Sequence, residues 1–437
     1  MDTESLFLDF FGIERSDSAR KQLSLACRFW RFGEKDLLQA IYNARKGHRT
    51  DLPSVRKLLG VYIREWMGVF DDRYRKRLYF NVPGTVTYMA YIRERLAGTA
   101  YVGTPDMIQM TVLYGLFGRE EKIEVGNCHH CAANMLRLSL GSRSDFPKPD
   151  VRLSFGFTCD EALLVDALLA DHEPDAVHVR ITNPNRFQDD TAYLTQRMRE
   201  GLKRVQAGLH LPSVTEEEES ALYLDCKSFR FRMAFYIDQI LRKIGESGKF
   251  LLTNNDLVFL ETLLLTSFQT EPAELESMLQ ELLEDLERAE GEALRYRFCI
   301  YYTPICNPVY GNVMQKYGIA LLHQTAFMST AIITGEADPV ADAVLEGVGM
   351  SVSGSALREG KRIANLIRQR GLDGFVTGMF GFDRWMGPHQ ELLGKIIEEE
   401  TGKPVFSYDA DFWNQEPFSA DRMESSVETF LALLERR

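Results

Sequence analysis

Apolar and polar residues alternate along the chain with two different periods. Residues 1–100 place apolar side chains three and four positions apart, in stretches such as SVRKLLGVYIREWMGVF and TYMAYIRERLAG, which is the spacing of amphipathic helices. The same spacing returns over about residues 196–290, in CKSFRFRMAFYIDQILRKIG and the acidic ELESMLQELLEDLERAEGE. The pattern predicts a helical N-terminal region and a helical insertion further along the chain.

Short β-branched runs alternate with helical stretches in two other blocks. The runs are KIEVG, VRLSFGFT and AVHVRITN in the first block, and RFCIYYT, IALLHQTA, GFVTGMFG and KPVFSYDADF in the second. Strands that alternate with helices indicate a parallel sheet covered by helices. We therefore predict an α/β protein with two doubly wound, Rossmann-like parallel-sheet domains. The first spans residues 101–292 and includes the helical insertion, and the second spans residues 293–437.

Several helix ends of the second predicted domain are marked by residue type. Pro308 is placed to begin a helix as a turn or first-turn residue, and Gly371 follows the helical stretch SALREGKRIANLIRQR as a stop. Ser419 can cap the final helix, with Asp421 in its favourable first turn. These residues predict where three helices begin or end.

Composition and charge narrow the classes of function. The chain has 437 residues, of which 45% are hydrophobic and 26% charged, as in soluble globular enzymes. A formal net charge of -12 argues against a nucleic-acid partner, because such binding depends on Lys and Arg neutralising phosphates. The first residues, MDTESLFLDFFGIERSD, lack the basic segment of a secretory signal, and no apolar stretch has the ~20 residues of a membrane span. We expect a cytoplasmic protein without membrane contact.

The seven cysteines divide into two groups. Cys27, Cys226 and Cys299 lie within helical or strand patterns, and we interpret them as core thiols. The other four follow predicted strands, where parallel sheets bind ligands in the crevice at the carboxyl ends. They are Cys128 and Cys131 after KIEVG, Cys159 after VRLSFGFT, and Cys306 after RFCIYYTP.

The surroundings of these four thiols favour metal binding. Cys159 directly precedes the helical stretch DEALLVD, and the positive end of a helix stabilises the thiolate that binds metal. The two-residue gap between Cys128 and Cys131 lets both sulfurs face one point. Soft thiolates suit an iron–sulfur cluster or zinc. A tetrahedral zinc site from Cys128, Cys131 and Cys159 with His129 or His130 is the alternative.

The chain resembles the 2-hydroxyacyl-CoA dehydratase and benzoyl-CoA reductase family. The similarity runs from about residue 100 to the C-terminus. Its carriers are TPDMIQMTVLYGLFG, GNCHHCAANMLRLSLG, FTCDEALLVDALL and GKPVFSYDADFWNQEPFSADRMESSVETFLALL. The last segment is the most specific, with a strand, an acidic turn containing Asp409 and Asp411, and a closing helix.

The resemblance implies a [4Fe–4S] cluster held by three cysteines from two domains. Cys128, or Cys131 beside it, and Cys159 match two of these positions. The loop where the family places the third reads GMFGFDRWMGP and has no cysteine. Cys306 is the candidate replacement. Alternatively Cys128, Cys131 and Cys159 are all ligands, or the chain has lost the cluster.

The implied function is that of a subunit in an ATP-activated radical enzyme acting on an acyl-CoA thioester. Such a subunit works with a homologous second subunit and an ATP-hydrolysing activator protein that delivers an electron at low potential. The reaction is either reduction of a benzoyl-CoA-type ring or dehydration of a 2-hydroxyacyl-CoA. The alternative is a non-catalytic α/β partner subunit that has lost the cluster or binds structural zinc.

Overall fold

The computed structural model describes most of the chain. The described ranges are 2–81, 85–96, 98–119, 132–156, 160–182, 191–301, 308–324, 338–349, 355–378, 386–408 and 419–435. Within them, the helices alternate with short strands after residue 75. No helix in these ranges is both long and apolar enough to cross a membrane.

The described strands are all short, at three to six residues. They are β1 (Lys76–Phe80), β2 (Ala100–Gly103), β3 (Val151–Gly156), β4 (Val177–Thr182), β5 (Tyr296–Ile300), β6 (Ile319–Gln324), β7 (Gly374–Thr377) and β8 (Val405–Ser407). Strands β3 and β7 are buried at every position, as expected for parallel strands covered on both faces.

Helices surround these strands and also form a separate layer. The helices of the first half are α1 (Thr3–Phe10), α2 (Asp17–Trp30), α3 (Glu34–Gly47), α4 (Pro53–Gly68), α5 (Val86–Arg95), α6 (Pro105–Val112), α7 (Ala132–Ser142), α8 (Asp160–Leu169) and α9 (Ala192–Leu209). The others are α10 (Glu216–Ser247), α11 (Asn254–Thr266), α12 (Pro272–Arg288), α13 (Pro308–Lys316), α14 (Pro339–Gly349), α15 (Ala356–Arg370), α16 (Met386–Thr401) and α17 (Ala420–Leu434). A π-helical turn over Leu113–Phe117 extends α6.

The predicted fold class is confirmed. Two four-stranded sheets are present, in the orders β2-β1-β3-β4 and β6-β5-β7-β8, and every pairing in them is parallel. In each sheet, the direction in which successive strands are added reverses beside the first strand. The reversal lies between β1 and β3 in the first sheet and between β5 and β7 in the second. In open α/β sheets, this reversal is the point at which a crevice for a ligand opens.

The chain has two halves, one with strands β1–β4 and one with strands β5–β8. Each half contains the same contact at the amino-terminal ends of its strands, opposite the crevice. Asp150 precedes β3 and accepts the backbone N–H of Arg77 at 2.8 Å, while its own N–H donates to the Arg77 carbonyl at 2.9 Å. Asp373 precedes β7 and makes the same two contacts with Arg297, at 2.9 Å and 2.7 Å. The halves therefore correspond residue by residue at this position.

Helices α4, α10, α11 and α12 pack on one another and form a helical layer that joins the two sheets. Helix α11 is buried at every residue and packs against α4, α13 and β6. Tyr62 of α4 donates to the Phe259 carbonyl at 2.6 Å, and the buried Asp256 contacts His48 Nδ1 at 2.8 Å. Because the apolar side chains of this layer and both sheets form one continuous cluster, the layer holds the two sheets in a common core.

The sequence predicted most of these elements but missed β1 and β2. Residues 1–100 are mainly helical as predicted, yet Lys76–Phe80 lies among them and is a strand of the first sheet. The three helix-end predictions are confirmed. Pro308 begins α13, Gly371 ends α15 with a φ of 58°, and the Ser419 side chain accepts the N–H of Arg422 at 3.3 Å. The boundaries of the predicted domains stay predictions.

Candidate functional site

The sequence predicts the candidate site at the carboxyl ends of the strands. The four predicted ligands lie outside the described residues. They are Cys128, Cys131, Cys159 and Cys306, and with them lie His129, His130 and the predicted strand KIEVG. Among the described residues, no three His, Cys, Asp or Glu side chains are grouped so that they could hold a metal ion. The described residues nonetheless define the helices and strands that directly flank the predicted ligands.

Two helix starts beside the predicted ligands lie next to each other. Helix α7 begins at Ala132, directly after Cys131 in the sequence, and α8 begins at Asp160, directly after Cys159. The helices pack together, and the Asn134 side-chain amide in the first turn of α7 donates to Glu161 Oε2 in α8 at 3.4 Å. The residues that follow the two cysteines are therefore neighbours in space.

A buried arginine lies beneath these helix starts. Arg137 of α7 has only 2% of its side chain exposed. Its Nη2 donates to Ser154 Oγ of β3 at 2.6 Å, and its Nη1 donates to the Ala162 carbonyl in the first turn of α8 at 3.4 Å. Burial and the charge of Arg152 lower the pKa of Arg137, but a guanidinium stays charged at any physiological pH. The helix starts thus gain a fixed positive charge.

Further buried charges balance this arginine on the same face of the first sheet. Arg152 donates Nε and Nη2 to the two oxygens of Glu173 at 2.7 Å and 2.5 Å. Asp166 of α8 contacts His178 Nδ1 at 3.1 Å and lies 4.0 Å from Arg137. Burial opposes ionisation of Asp166, but the contacts with His178 and the charge of Arg137 outweigh it and lower the pKa. At the helix starts, the two helix N-termini and Arg137 supply positive charge that would stabilise thiolate ligands, while Glu161 adds a carboxylate in the first turn of α8.

Asn81 closes the first sheet at its point of strand reversal. This residue follows β1, and its side-chain Nδ2 donates to the Phe155 carbonyl of β3 at 3.0 Å. The Phe155 N–H donates in turn to Asn81 Oδ1 at 2.6 Å. The Asn81 amide therefore continues the pairing of β1 with β3 past Phe80, the last residue of β1. Its partner Phe155 lies four residues before Cys159 in the sequence.

The second sheet ends with different chemistry. Gln390 of α16 accepts hydrogen bonds from Thr377 Oγ1 at 3.2 Å and from the Gly378 N–H at 3.0 Å. Gly378 has a φ of 103°, and a Cβ there would lie 2.5 Å from the backbone nitrogen of Tyr408, so only glycine fits. Beside it, His389 Nε2 lies 3.0 Å from Glu359 Oε2 of α15, with both side chains buried. This histidine–glutamate pair joins helices α15 and α16.

The correspondence between halves also relates two sequence positions. Cys159 and Phe382 each lie nine residues after their half's strand-joining aspartate, Asp150 or Asp373, and each is followed by an aspartate. The loop GMFGFDRWMGP is thus the second-half counterpart of the loop that contains Cys159. Phenylalanine occupies the place of cysteine in it.

The interpretation of the remaining cysteines as core thiols is confirmed. Cys27, Cys226 and Cys299 are free and buried. Burial raises the pKa of Cys27 and of Cys226 to about 12, and it also raises the pKa of Cys299. These thiols stay protonated at neutral pH and are poor metal ligands.

Sequence reasoning missed the polar residues that support the site. Asn81 lies in no quoted motif, and Asn134 and Arg137 lie in GNCHHCAANMLRLSLG, where only the cysteines and histidines were given a role. The roles of all three depend on which elements the crossovers bring together. No model of a known protein family matches the chain, and no curated protein matches it. The family resemblance therefore stays a prediction from the quoted motifs.

Proposed function

We propose that the chain is an iron–sulfur subunit of an ATP-activated radical enzyme that acts on an acyl-CoA thioester. The reaction class is that of benzoyl-CoA-type reduction or 2-hydroxyacyl-CoA dehydration. The observation that carries the proposal is the contact between Asn134 and Glu161, because it brings together the helix starts that follow Cys131 and Cys159. Neighbouring starts allow ligands from both segments to reach one group.

The chemistry of the surroundings supports an anionic group at this place. Two helix N-termini and the buried Arg137 guanidinium supply positive charge, and soft thiolates are the ligands of iron–sulfur clusters. When bound, a [4Fe–4S] cluster supplies one-electron transfer at low potential. Cys159 and either Cys128 or Cys131 would hold it.

The described residues would hold the site in place around such a group. Asn134 and Glu161 fix the two helix starts relative to each other, and Arg137 links α7 to β3 and α8. Asn81 fixes the point of strand reversal. Because these contacts are buried or half-buried, they keep water away from the base of the site and keep the ligands preorganised.

The third ligand has two candidate sources. Cys306 lies two residues before α13, after the central strand β5 of the second sheet, and would couple cluster binding to the second half. Alternatively, Cys128 and Cys131 both join Cys159, and the site belongs to the first half alone. The two arrangements differ in whether Cys306 is needed for iron.

A second candidate function is a non-catalytic partner subunit without a cluster or with structural zinc. The observation that favours it is Phe382, which stands at the second-half counterpart of Cys159. A subunit that pairs with a cluster-bearing homologue could tolerate such a replacement. We expect both versions to work beside a homologous second subunit, with an ATP-hydrolysing activator protein serving the pair.

Anaerobic purification with iron, sulfide and zinc analysis tests the proposal. We expect equal amounts of iron and sulfide in the wild-type chain, a marked loss of both in Cys159→Ala, and no change in the control Cys299→Ala. Cys306→Ala and Cys131→Ala then separate the two ligand sets, because only the ligands' variants lose iron. Zinc in place of iron would favour the second candidate, and unchanged iron in Cys159→Ala would overturn the first.

Co-purification from the native source tests the partners. We expect a related chain of similar size to stay bound through purification, and reduction of the iron to require the activator and ATP. A chain that turns over acyl-CoA thioesters alone, without ATP, would contradict this part of the proposal.

A further inference from the structure

A cavity opens in the helical layer, separate from the carboxyl edges of the sheets. It lies between α5, the middle of α10 and the connection from α11 to α12, and its volume is about 420 Å³. Pockets for small organic ligands typically have volumes of about 300–1,000 Å³. All the residues that form its wall are described, so its shape does not depend on the loops that carry the predicted cluster ligands.

The wall of the cavity is mostly apolar, and its rim carries paired charges. Ala90, Leu222, Phe229 and Phe268 line the inner surface. The charged residues at the rim largely pair with one another: Arg232 contacts Glu276 at 3.1 Å and Arg93 contacts Glu94 at 2.5 Å. The cavity can therefore hold an apolar body of moderate size.

Arg230 is the most deeply buried cation that lines this cavity, and it forms no such ion pair. Arg230 is 96% buried, since its exposed fraction is 4%. Its Nε and Nη2 are fully enclosed, and they make no hydrogen bond to any described residue. The guanidinium carbon lies 5.6 Å from the centre of the Phe268 ring. An arginine buried in this way carries a desolvation cost that no hydrogen bond offsets.

The carboxylate that attracts Arg230 most strongly does not pair with it. Glu346 of α14 attracts it from a distance, but its carboxylate accepts hydrogen bonds from the Thr87 N–H and Oγ1, both at 3.1 Å. Burial raises the pKa of Glu346 to about 7, so this group is only partly ionised at neutral pH. Glu346 therefore attracts Arg230 without forming an ion pair with it.

A hydroxyl group of the same cavity is also buried without a hydrogen-bond partner. Thr270 also lines the cavity, is 4% exposed, and its Oγ1 has no hydrogen-bond partner among the described residues. Elsewhere in the chain, the equally buried Arg152 is held by both oxygens of Glu173. Buried polar groups without partners are rare in native proteins, and here a cation and a hydroxyl line one cavity.

We propose that this cavity binds a monocarboxylate with an apolar body, whose carboxylate pairs with Arg230 through Nη1, the guanidinium nitrogen that is not among its enclosed atoms. A guanidinium matches the geometry of a carboxylate, and a buried pair of this kind is strengthened by exclusion of water. The apolar wall takes the hydrocarbon part, aromatic or short aliphatic. The mostly apolar wall disfavours a dianionic phosphate, because desolvating two charges costs more than desolvating one, and this favours a ligand with a single charge.

This site is independent of the proposed cluster and requires no metal. Binding is tested by calorimetry with benzoate and octanoate, with benzamide as the uncharged isostere of benzoate and inorganic phosphate as the competing anion. We expect benzoate or octanoate to bind at least about tenfold more tightly than benzamide, because a hydrogen bond to a charged group contributes on the order of 1.5–3 kcal/mol. Phosphate should not compete.

Matched variants then assign the binding to Arg230. Arg230→Met should weaken carboxylate binding by about tenfold or more and leave the melting temperature unchanged or higher, since it removes an unpaired buried charge. The control Arg232→Met changes an arginine at the rim of the same cavity and should alter binding by less than about threefold, the range of an exposed charge. Thr270→Val should weaken binding less than Arg230→Met does.

A further variant tests the cavity without touching the arginine. Ala273→Trp places a large ring at the exposed rim of the cavity and should block benzoate while the chain stays folded. The proposal is overturned if the wild type binds benzamide as tightly as benzoate, if Arg230→Met binds carboxylates normally, or if Ala273→Trp does. It is equally overturned if no carboxylate binds and Arg230→Met lowers the melting temperature, because Arg230 would then be structural.

Discussion

The two halves of the molecule share a strand order and a strand-joining aspartate, but they bury different chemistry beneath their carboxyl-end helices. In the first half, Arg137 and Arg152 are buried with the carboxylates of Asp166 and Glu173. In the second half, the corresponding helices α15 and α16 are joined by the pair of His389 and Glu359. One backbone arrangement therefore supports two different electrostatic environments.

This difference teaches that topology places a site without deciding its chemistry. Both sheets reverse their strand order beside the first strand, so both could host a ligand there. In the first half, Cys159 directly precedes α8, whose first turn accepts a hydrogen bond from the buried Arg137 guanidinium. The second half has Phe382 at the position that matches Cys159. Function is decided by the side chains that a fold presents.

The largest effect should come from breaking the charge network of the first half. Glu173→Ala leaves Arg152 buried with no bidentate partner, and removing one member of a buried pair costs about 3–5 kcal/mol. The side chains of Glu173 and Arg152 are only 1% and 4% exposed. Urea unfolding of the variant should show this loss in the free energy of unfolding.

A double variant is the control for that measurement. Arg152→Met with Glu173→Leu removes both charges and should recover most of the lost stability, because apolar residues replace buried ion pairs at little cost. A Glu173→Ala variant within about 1 kcal/mol of wild type, the range of an exposed pair, would mean that water reaches the arginine and that the network is not closed.

A second test concerns His323, a buried residue of the second half at the end of β6. Burial, followed by the charge of Arg370, lowers the pKa of His323 from 6.5 to about 4. The unfolded chain therefore binds a proton between pH 6.5 and 4 that the folded chain does not, so folding stability is lost as the pH falls through this window. The loss approaches about 3 kcal/mol near pH 4.

The variant His323→Asn should remove this part of the pH dependence. Asparagine tolerates the left-handed backbone at this position, where φ is 63°. Urea unfolding at pH 7.5 and at steps down to pH 4.5 should show the difference between wild type and variant changing steadily in favour of the variant. A constant difference across these pH values would show that the wild-type histidine titrates normally.

Much of this fold could be predicted from the sequence, and the exceptions have physical reasons. Strand β3 was found because VRLSFG alternates apolar residues with Arg152 and Ser154, whereas β1 begins with two successive cations, Lys76 and Arg77. The Arg77 guanidinium finds local partners in the carbonyls of Tyr74 and Asp71, at 3.3 Å and 2.9 Å, so the strand tolerates charge. Strand β2 has only four residues, too few for a recognisable period.

The sites were less predictable than the fold. The sequence placed Cys159 before a helix, and α8 does begin at Asp160. The contact between Asn134 and Glu161 depends on how the chain passes from one strand of the sheet to the next. No local sequence pattern encodes this path. The lack of a hydrogen-bond partner for Arg230 likewise depends on elements that are separate in the sequence, namely α5, α10 and the connection from α11 to α12. The sequence of its own helix, α10, has an ordinary amphipathic pattern.

A third test measures how closely the halves correspond. Asp150→Ala and Asp373→Ala each remove a carboxylate that accepts one backbone N–H and contacts one cation. Both carboxylates are about one-third exposed, so each loss should be about 1–2 kcal/mol. We expect the two values to agree within about 0.5 kcal/mol, the usual error of such comparisons. A much larger loss at one aspartate would limit the correspondence to strand order.

The smallest effect should come from the contacts that join the flanking helices of each half. In the first half, the Gln206 side-chain amide of α9 donates to the Tyr88 hydroxyl of α5 at 3.1 Å, and Tyr88 is buried. In the second half, Lys316 of α13 contacts Glu424 of α17 at 2.6 Å, with 58% and 30% of the side chains exposed.

Burial makes these two contacts respond differently to substitution and to salt. Lys316→Met should change the free energy of unfolding by less than about 0.5–1 kcal/mol, because exposed ion pairs contribute little, and about 1 M salt should abolish even that difference. Gln206→Leu leaves a buried hydroxyl without its partner, so it should cost about 1 kcal/mol at any salt concentration. Urea unfolding at low and high salt separates the two. If Lys316→Met cost more than Gln206→Leu at both salt concentrations, the surface contact of the second half would carry the stability that we assign to burial in the first.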